Sequence, residues 1–417
     1  MTTAIEAPPA VARRTRYREV LAEPRFRLLF LTRIAAITAD SLRITTFSVL
    51  VFASTGSPLL SAVAFGIGFL PQLFGSLLLG SLADRLPPRA LIVGGYLLEA
   101  VAALLLALAP LPIAASLGLV ALVALATPLF NGASGRLVAR WLTGDAYVLG
   151  RSLNNMASSG AQLFGLALGG AAVAALGPHR TLAAGAALYL LCALAVRLRL
   201  PVLTPDPDGN PTGGAVRGSL RGAGALLRAR GVRRLLLAQW LPSAFAAGAE
   251  GLIVAYSGRM RFAPGWYAAL LACLPIGMLL GDVLVGRLLR PATRERLVVP
   301  LVLLMGLPLL GFAAEPGRFV AGGLLLCTGF GFANGLGLQR AFLDALPERG
   351  QGQAFGLLGS GNMTLQGVGP ACFGMLATLL GGHGTGTAMA LAGLGAVLTA
   401  LWTLSWWRAR SAAVPAA

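Results

Sequence analysis

Residues 28–53 read LLFLTRIAAITADSLRITTFSVLVFA, and Arg33, Asp40 and Arg43 are the only ionisable side chains in the run. As a helix rising about 1.5 Å per residue, this stretch exceeds the roughly 30 Å of a bilayer's hydrocarbon core. Runs of the same kind recur at 59–82, 91–109, 113–133, 154–176, 181–199, 235–257, 266–286, 297–313, 319–339, 355–380 and 387–407. The chain is 56% hydrophobic and 12% charged, with a mean hydropathy of +0.77, whereas soluble domains carry about 25% charged residues. A water-soluble fold is excluded. Because backbone polar groups cannot stay unpaired in lipid, the spans are expected to be helices. The expected fold is an all-α integral membrane protein of twelve transmembrane helices.

The formal net charge of +18 would point to nucleic acid in a soluble protein. Here its placement decides otherwise. The sequence has no Lys, so all 33 basic residues are Arg. If the spans alternate in direction, 27 Arg fall in the two tails and the even-numbered connections, and only Arg180, Arg259, Arg261 and Arg318 fall opposite. Cytoplasmic loops collect Arg and Lys, so both termini are expected in the cytoplasm of a cell (inner) membrane, with no nucleic-acid partner. Abundant Arg, Ala, Gly and Leu without Lys also fits a GC-rich bacterial genome. A P-loop requires Lys, so energy from an ordinary Walker A site is excluded as well.

Cys192, Cys273, Cys327 and Cys372 lie inside spans without metal-ligand spacing and are expected to be packing residues. His179 and His383 stand singly in short turns, so no metal site is expected. There is no Ser-His-Asp set or Cys-His pair, so neither an enzyme nor a cofactor is expected. The Gly329-Phe330-Gly331-Phe332-Ala333-Asn334-Gly335 stretch lies within a span rather than in a βαβ unit. Its small residues, like Gly165 with Gly169 and Gly277 with Gly281, serve close helix packing.

The expected organisation is a cytoplasmic tail at 1–24, a six-helix bundle at 25–200, a linker at 201–232, a second bundle at 233–407 and a tail at 408–417. The linker carries Pro201, Pro205, Pro207 and Pro211, and its continuation from Ser219 to Arg234 has the composition of a basic amphipathic helix. The bundles read as a duplication. Arg27-Leu28-Leu29 matches Arg234-Leu235-Leu236 at an offset of 207, Gly75 and Gly80 match Gly281 and Gly286 at 206, and Arg89-Ala90-Leu91 matches Arg296-Leu297-Val298 at 207. Gly150, Ser158 and Gly165 match Gly352, Ser360 and Gly367 at 202.

Ionisable residues within spans are costly and mark function or structural pairing. They are Arg33, Asp40, Arg43, Glu99 and Glu250, with Asp282 nearer a span end and read as structural. On the first span Arg33, Asp40 and Arg43 are spaced to share one face. Under the offset of 207, Arg43 superimposes on Glu250. These residues fit substrate and proton coupling in a central cavity. Asp40 with Arg43 fits a structural ion pair equally well. Trp240 and Phe245 are expected in the cavity wall.

After the second span the chain reads Gly80-Ser81-Leu82-Ala83-Asp84-Arg85-Leu86-Pro87-Pro88-Arg89. This resembles the signature loop of the major facilitator superfamily, Gly-x-Leu-Ala-Asp-Arg-x-Gly-Arg-Arg/Lys, with Pro87 and Pro88 as departures. The resemblance implies two pseudo-symmetric six-helix bundles and a cytoplasmic gate motif of Gly80, Asp84, Arg85 and Arg89. By the same resemblance Gly80 allows close packing, and Asp84 joins a charge relay that holds the cytoplasmic gate shut in the outward-facing state. Asp40, the Thr55-Gly56-Ser57-Pro58 turn, and Gly356-Leu357-Leu358-Gly359-Ser360-Gly361 leading into Gln366-Gly367-Val368-Gly369-Pro370 resemble bacterial drug and antibiotic exporters of that superfamily. The Arg that many of its proton antiporters carry in the fourth helix is missing, with Pro128-Leu129-Phe130-Asn131-Gly132 in that region. The function expected is proton-coupled efflux of an amphipathic small molecule, a cation among the candidates, by a monomer in the lipid bilayer. Alternatives are a metabolite importer or facilitator, a siderophore exporter, or a membrane binding or sensor protein that does not transport.

Overall fold

A computed structural model describes residues 17–75, 86–142, 144–201, 223–263, 265–346 and 351–413. Among these residues the chain is helical with no strand. We number the principal helices α1 (Pro24–Thr55), α2 (Pro58–Gly66, resuming after a turn at 67–69 and reaching Gly75), α3 (Pro88–Leu108), α4 (Ile113–Trp141), α5 (Gly144–Leu176) and α6 (Pro178–Arg199). The second set is α7 (Arg230–Gly251, carried on by Ile253–Arg259), α8 (Trp266–Leu288), α9 (Val298–Leu310), α10 (Arg318–Phe330, a 3-10 turn at Gly331–Ala333, then Asn334–Asp344), α11 (Gln351–Leu380) and α12 (Gly384–Ala413).

Every expected span falls on one of these helices, though the second runs past residue 75 into residues outside the described ones. Nine helices among the described residues are long and apolar enough to cross a membrane. The apolar stretches of α5 and α9 are shorter, and α7 carries Gln239, Ser243 and Glu250. Exposed Leu122, Leu191, Leu279 and Leu398 form an apolar exterior of the kind that lipid covers.

Local chemistry sets the helix ends. The turn between α1 and α2 places Gly56 in the left-handed region at φ 64°, where its N–H donates to the Phe52 carbonyl at 2.8 Å. Ser57 then caps α2 by accepting from the Leu60 N–H at 3.3 Å, and Pro58 occupies the first turn, where its missing N–H costs nothing.

Packing repeats between the halves. In the first, α1 packs on α5 and α6, and α3 on α4 and α6. In the second, α7 packs on α11 and α12, and α9 on α10 and α12. The sequence match of Gly75 to Gly281 has a structural counterpart. A Cβ at Gly75 would strike the Leu125 carbonyl of α4, and one at Gly281 the Phe330 carbonyl of α10. Lipid supplies no hydrophobic drive between helices, so such backbone approaches carry the association. Gly165 and Gly169 likewise seat α5 on Ser41 and Thr45 of α1. The fold is two pseudo-symmetric six-helix bundles.

The bundles meet along α2 with α11 and α5 with α8. Gly66 lies against the backbone of Gly367, Gly374 against Ala62 and Leu59, Gly170 against Ala268, and Gly258 against Phe52. All of these contacts lie between mid-helix and the end remote from the chain termini.

Two expectations change. Residues 223–228 form a short helix that ends at Ala229, and Arg230–Arg234 belong to α7, so the basic amphipathic helix is not continuous from Ser219 to Arg234. Val232, Leu235 and Leu236 pack with Val298 of α9 and with Leu338 and Phe342 of α10, whereas Arg230, Arg233 and Arg234 are exposed. Cys372, expected to be a buried packing residue, is exposed on α11, while Cys192 is buried. Although Arg33, Asp40 and Arg43 share a face of α1, Arg33 is held by residues of α4 and α5, whereas Arg43 pairs with Asp40 and approaches Glu99 of α3. Residues 202–222 of the expected linker lie outside the described residues.

Candidate functional site

Arg43 is the centre of a buried charge cluster in the first half. One turn along α1 from Asp40, it pairs with that carboxylate, and its Nε lies 3.9 Å from Glu99 Oε2 of α3. The Arg43 and Asp40 side chains are 5% and 36% exposed, so Asp40 is the most accessible member of the cluster. Thr127 of α4 donates to Glu99 Oε1 at 3.5 Å while also donating to the Val123 carbonyl at 3.0 Å. The buried Tyr189 of α6 completes the surroundings. The sequence reading had Arg43 opposite Glu250 across the pseudo-twofold. In the structure its charge is taken up within its own half, by Asp40 on the same helix and by Glu99, which α3 brings to 3.9 Å.

Arg33 is held separately. Its Nε donates to Ser158 Oγ of α5 at 3.2 Å and its Nη1 to Asn131 Oδ1 of α4 at 3.0 Å. Asn131 stands in the α4 segment that lacks the expected Arg. A guanidinium there would face a second one at Arg33.

Glu250 is half-buried in the last turn of the first part of α7. It has no hydrogen-bond or ion-pair partner among the described residues. Directly after it the helix tightens, with Leu252 N–H donating to the Ala249 carbonyl at 3.1 Å, and Gly251 lies against Pro370 of α11. Trp240 donates its indole N–H to the Leu358 carbonyl at 3.0 Å, over Gly361. Phe245 meets Phe373 edge-on, with ring centroids 6.0 Å apart, and Gly395 makes room for it. These two aromatic residues pack α7 against α11 and α12. Asp282 is exposed and makes no ion pair among the described residues.

Of the gate motif, Gly80, Asp84 and Arg85 lie outside the described residues. Arg89 donates to the Arg197 carbonyl at the end of α6. Sequence reasoning missed Tyr189, Thr127, Asn131 and Ser158 as partners. They are neutral, and only tertiary packing shows which charge each one faces.

The sequence matches the profile of the Major Facilitator Superfamily over residues 29–342, and no curated protein sequence matches it. Among solved structures, the nucleoside transporter NupG superimposes with a TM-score of 0.69 at 15% identity, covering 91% of this chain and 99% of that one. A peptide transporter POT in complex with sulfate gives 0.67 at 15% identity, covering 94% and 98%. A bacterial homologue of the human lysosomal transporter Spinster, inward-facing and unoccupied, gives 0.64 at 14% identity, covering 92% and 95%. At these identities the likeness is one of fold. With more than half of the chain inside the family profile, this protein belongs to the major facilitator superfamily and is a multi-pass membrane transporter of that type.

Proposed function

We propose that the protein is a secondary active exporter that couples inward proton movement to outward passage of an amphipathic small molecule by alternating access. The observation that carries this reading is Glu250, a carboxyl group within a membrane helix and without a counter-charge among the described residues. Such a group is neutralised by a proton or by a cation, and competition between the two links their movements. The Asp40–Arg43–Glu99 cluster supports the same reading. It holds two acids and one base, so taking up one proton balances it. Among the described residues, the glycine contacts between the bundles lie from mid-helix to the end remote from the termini, which fits a state open toward the termini, that is, toward the cytoplasm. The Spinster homologue is likewise described as inward-facing.

The test is flux in proteoliposomes under an imposed pH gradient against a panel of drugs and metabolites. Gradient-dependent movement of any of them supports the proposal. Ligand binding without flux would instead favour a sensor.

The cytoplasmic placement of both termini and the linker follows from the Arg distribution. With Gly213→Cys introduced in a background without the native Cys residues, a membrane-impermeant maleimide should fail to label intact cells and should label after permeabilisation. Efficient labelling of intact cells would reverse the topology.

For the gate motif, Asp84→Asn should lower flux while expression stays near wild type. Losing a charge contact of about 1 kcal/mol shifts a two-state ratio roughly fivefold without unfolding either state. Unchanged flux would reduce the loop to a topological anchor.

A further inference from the structure

The mechanism above leaves one charge unused. Arg33 carries a guanidinium inside the first bundle, yet no carboxylate pairs with it among the described residues. Two of its five N–H groups go to Ser158 Oγ and Asn131 Oδ1, both neutral acceptors. Arg43 on the same helix shows the usual solution, a buried guanidinium against two acids. Neutral acceptors on two other helices do something different, since they fix the plane of the fork without cancelling its charge. Arg33 is half-buried and lies in the half of α1 nearer the termini, away from the glycine contacts that join the bundles. Tyr96 of α3 is a further polar neighbour. A positioned, uncancelled guanidinium whose bond to Asn131 is exposed is suited to a planar or tetrahedral oxyanion, which it can bind through two parallel N–H groups.

We infer that Arg33, oriented by Asn131 and Ser158, is a subsite for the oxyanion of the transported molecule, a carboxylate, phosphate or sulfonate carried on an apolar body. The inference rests on the transporter reading above and adds an oxyanion to the cationic group that competes with a proton at Glu250, so that the transported molecule carries both charges. If Arg33 only tied α1 to α4 and α5, a stronger acceptor at Asn131 would be harmless. If it receives an anion, a carboxylate at Asn131 would occupy it.

The probes are 2-naphthoate and its neutral counterpart 2-naphthylmethanol, measured by equilibrium dialysis with the purified full-length protein at neutral pH. Wild type is expected to bind the acid at least about tenfold more tightly than the alcohol. Asn131→Asp and Arg33→Gln should bind the two alike, and Arg33→Lys should keep part of the preference. Should Arg33→Gln fail to fold, Asn131→Asp decides, because it leaves Arg33 in place with an added partner. Equal affinities in wild type, or a preference for the acid that survives Asn131→Asp, would overturn the subsite. Gradient-driven flux of the drug and metabolite panel, measured beside these probes, separates the two readings. Flux without a preference for the acid removes the subsite alone, whereas an Arg33-dependent preference without flux of any compound removes the exporter alone.

Discussion

Glu250→Gln should bring gradient-driven flux in proteoliposomes down to the level of liposomes without protein, while ligand binding stays measurable. Gln keeps the size of the side chain and most of its hydrogen-bonding capacity but fixes the neutral form. The variant therefore resembles the protonated state and can no longer alternate between proton and substrate. Substrate exchange without a gradient should persist, because the helix break after Gly251 and its contact with Pro370 do not depend on the charge. Binding in this variant should also lose its pH dependence. Gradient-driven flux at the wild-type rate with the wild-type pH profile would move coupling to the Asp40–Arg43–Glu99 cluster or end the proton-driven reading.

The largest effect on stability is expected at Arg43. Its side chain is 5% exposed and stands beside two acids, so Arg43→Met leaves the 11% exposed Glu99 without its counter-charge next to a partly exposed Asp40. Breaking a buried pair in this way typically costs about 3 to 5 kcal/mol. A corresponding fall in the thermal midpoint of the purified protein is expected. The triple variant Arg43→Met, Asp40→Asn, Glu99→Gln should recover most of the loss, because no uncompensated charge is left. A midpoint within error of wild type for Arg43→Met alone would mean that water already reaches the cluster. Rescue by the triple variant with flux still absent would separate the cluster's structural role from its part in coupling.

How much of the site was legible depended on the kind of residue. Arg33, Asp40, Arg43, Glu99 and Glu250 stood out because an ionisable group in a long apolar run is costly wherever its partner lies. Their grouping did not. Helical spacing placed Arg33, Asp40 and Arg43 on one face, yet a guanidinium reaches several ångströms from its backbone, and which helix it meets depends on packing. Trp240 and Phe245 were legible as large aromatic residues on the seventh helix. Their seats at Leu358, Gly361, Phe373 and Gly395 were not.

The sequence by itself determined the membrane fold, its spans and its duplication. A hydrocarbon core of fixed thickness imposes run length, the requirement to pair every backbone group imposes helix, and an offset near 207 persists wherever glycine is needed for close approach, as at Gly75 and Gly281. Only the tertiary structure decided that Glu99 joins Asp40 beside Arg43 within its own bundle, that Arg33 is held by the neutral Asn131 and Ser158, and that Glu250 is left without a partner among the described residues. Charge partners in a helical bundle are chosen by rotation and depth of separate helices, and these are set by glycine-sized contacts far away in the chain rather than by the residues beside each charge.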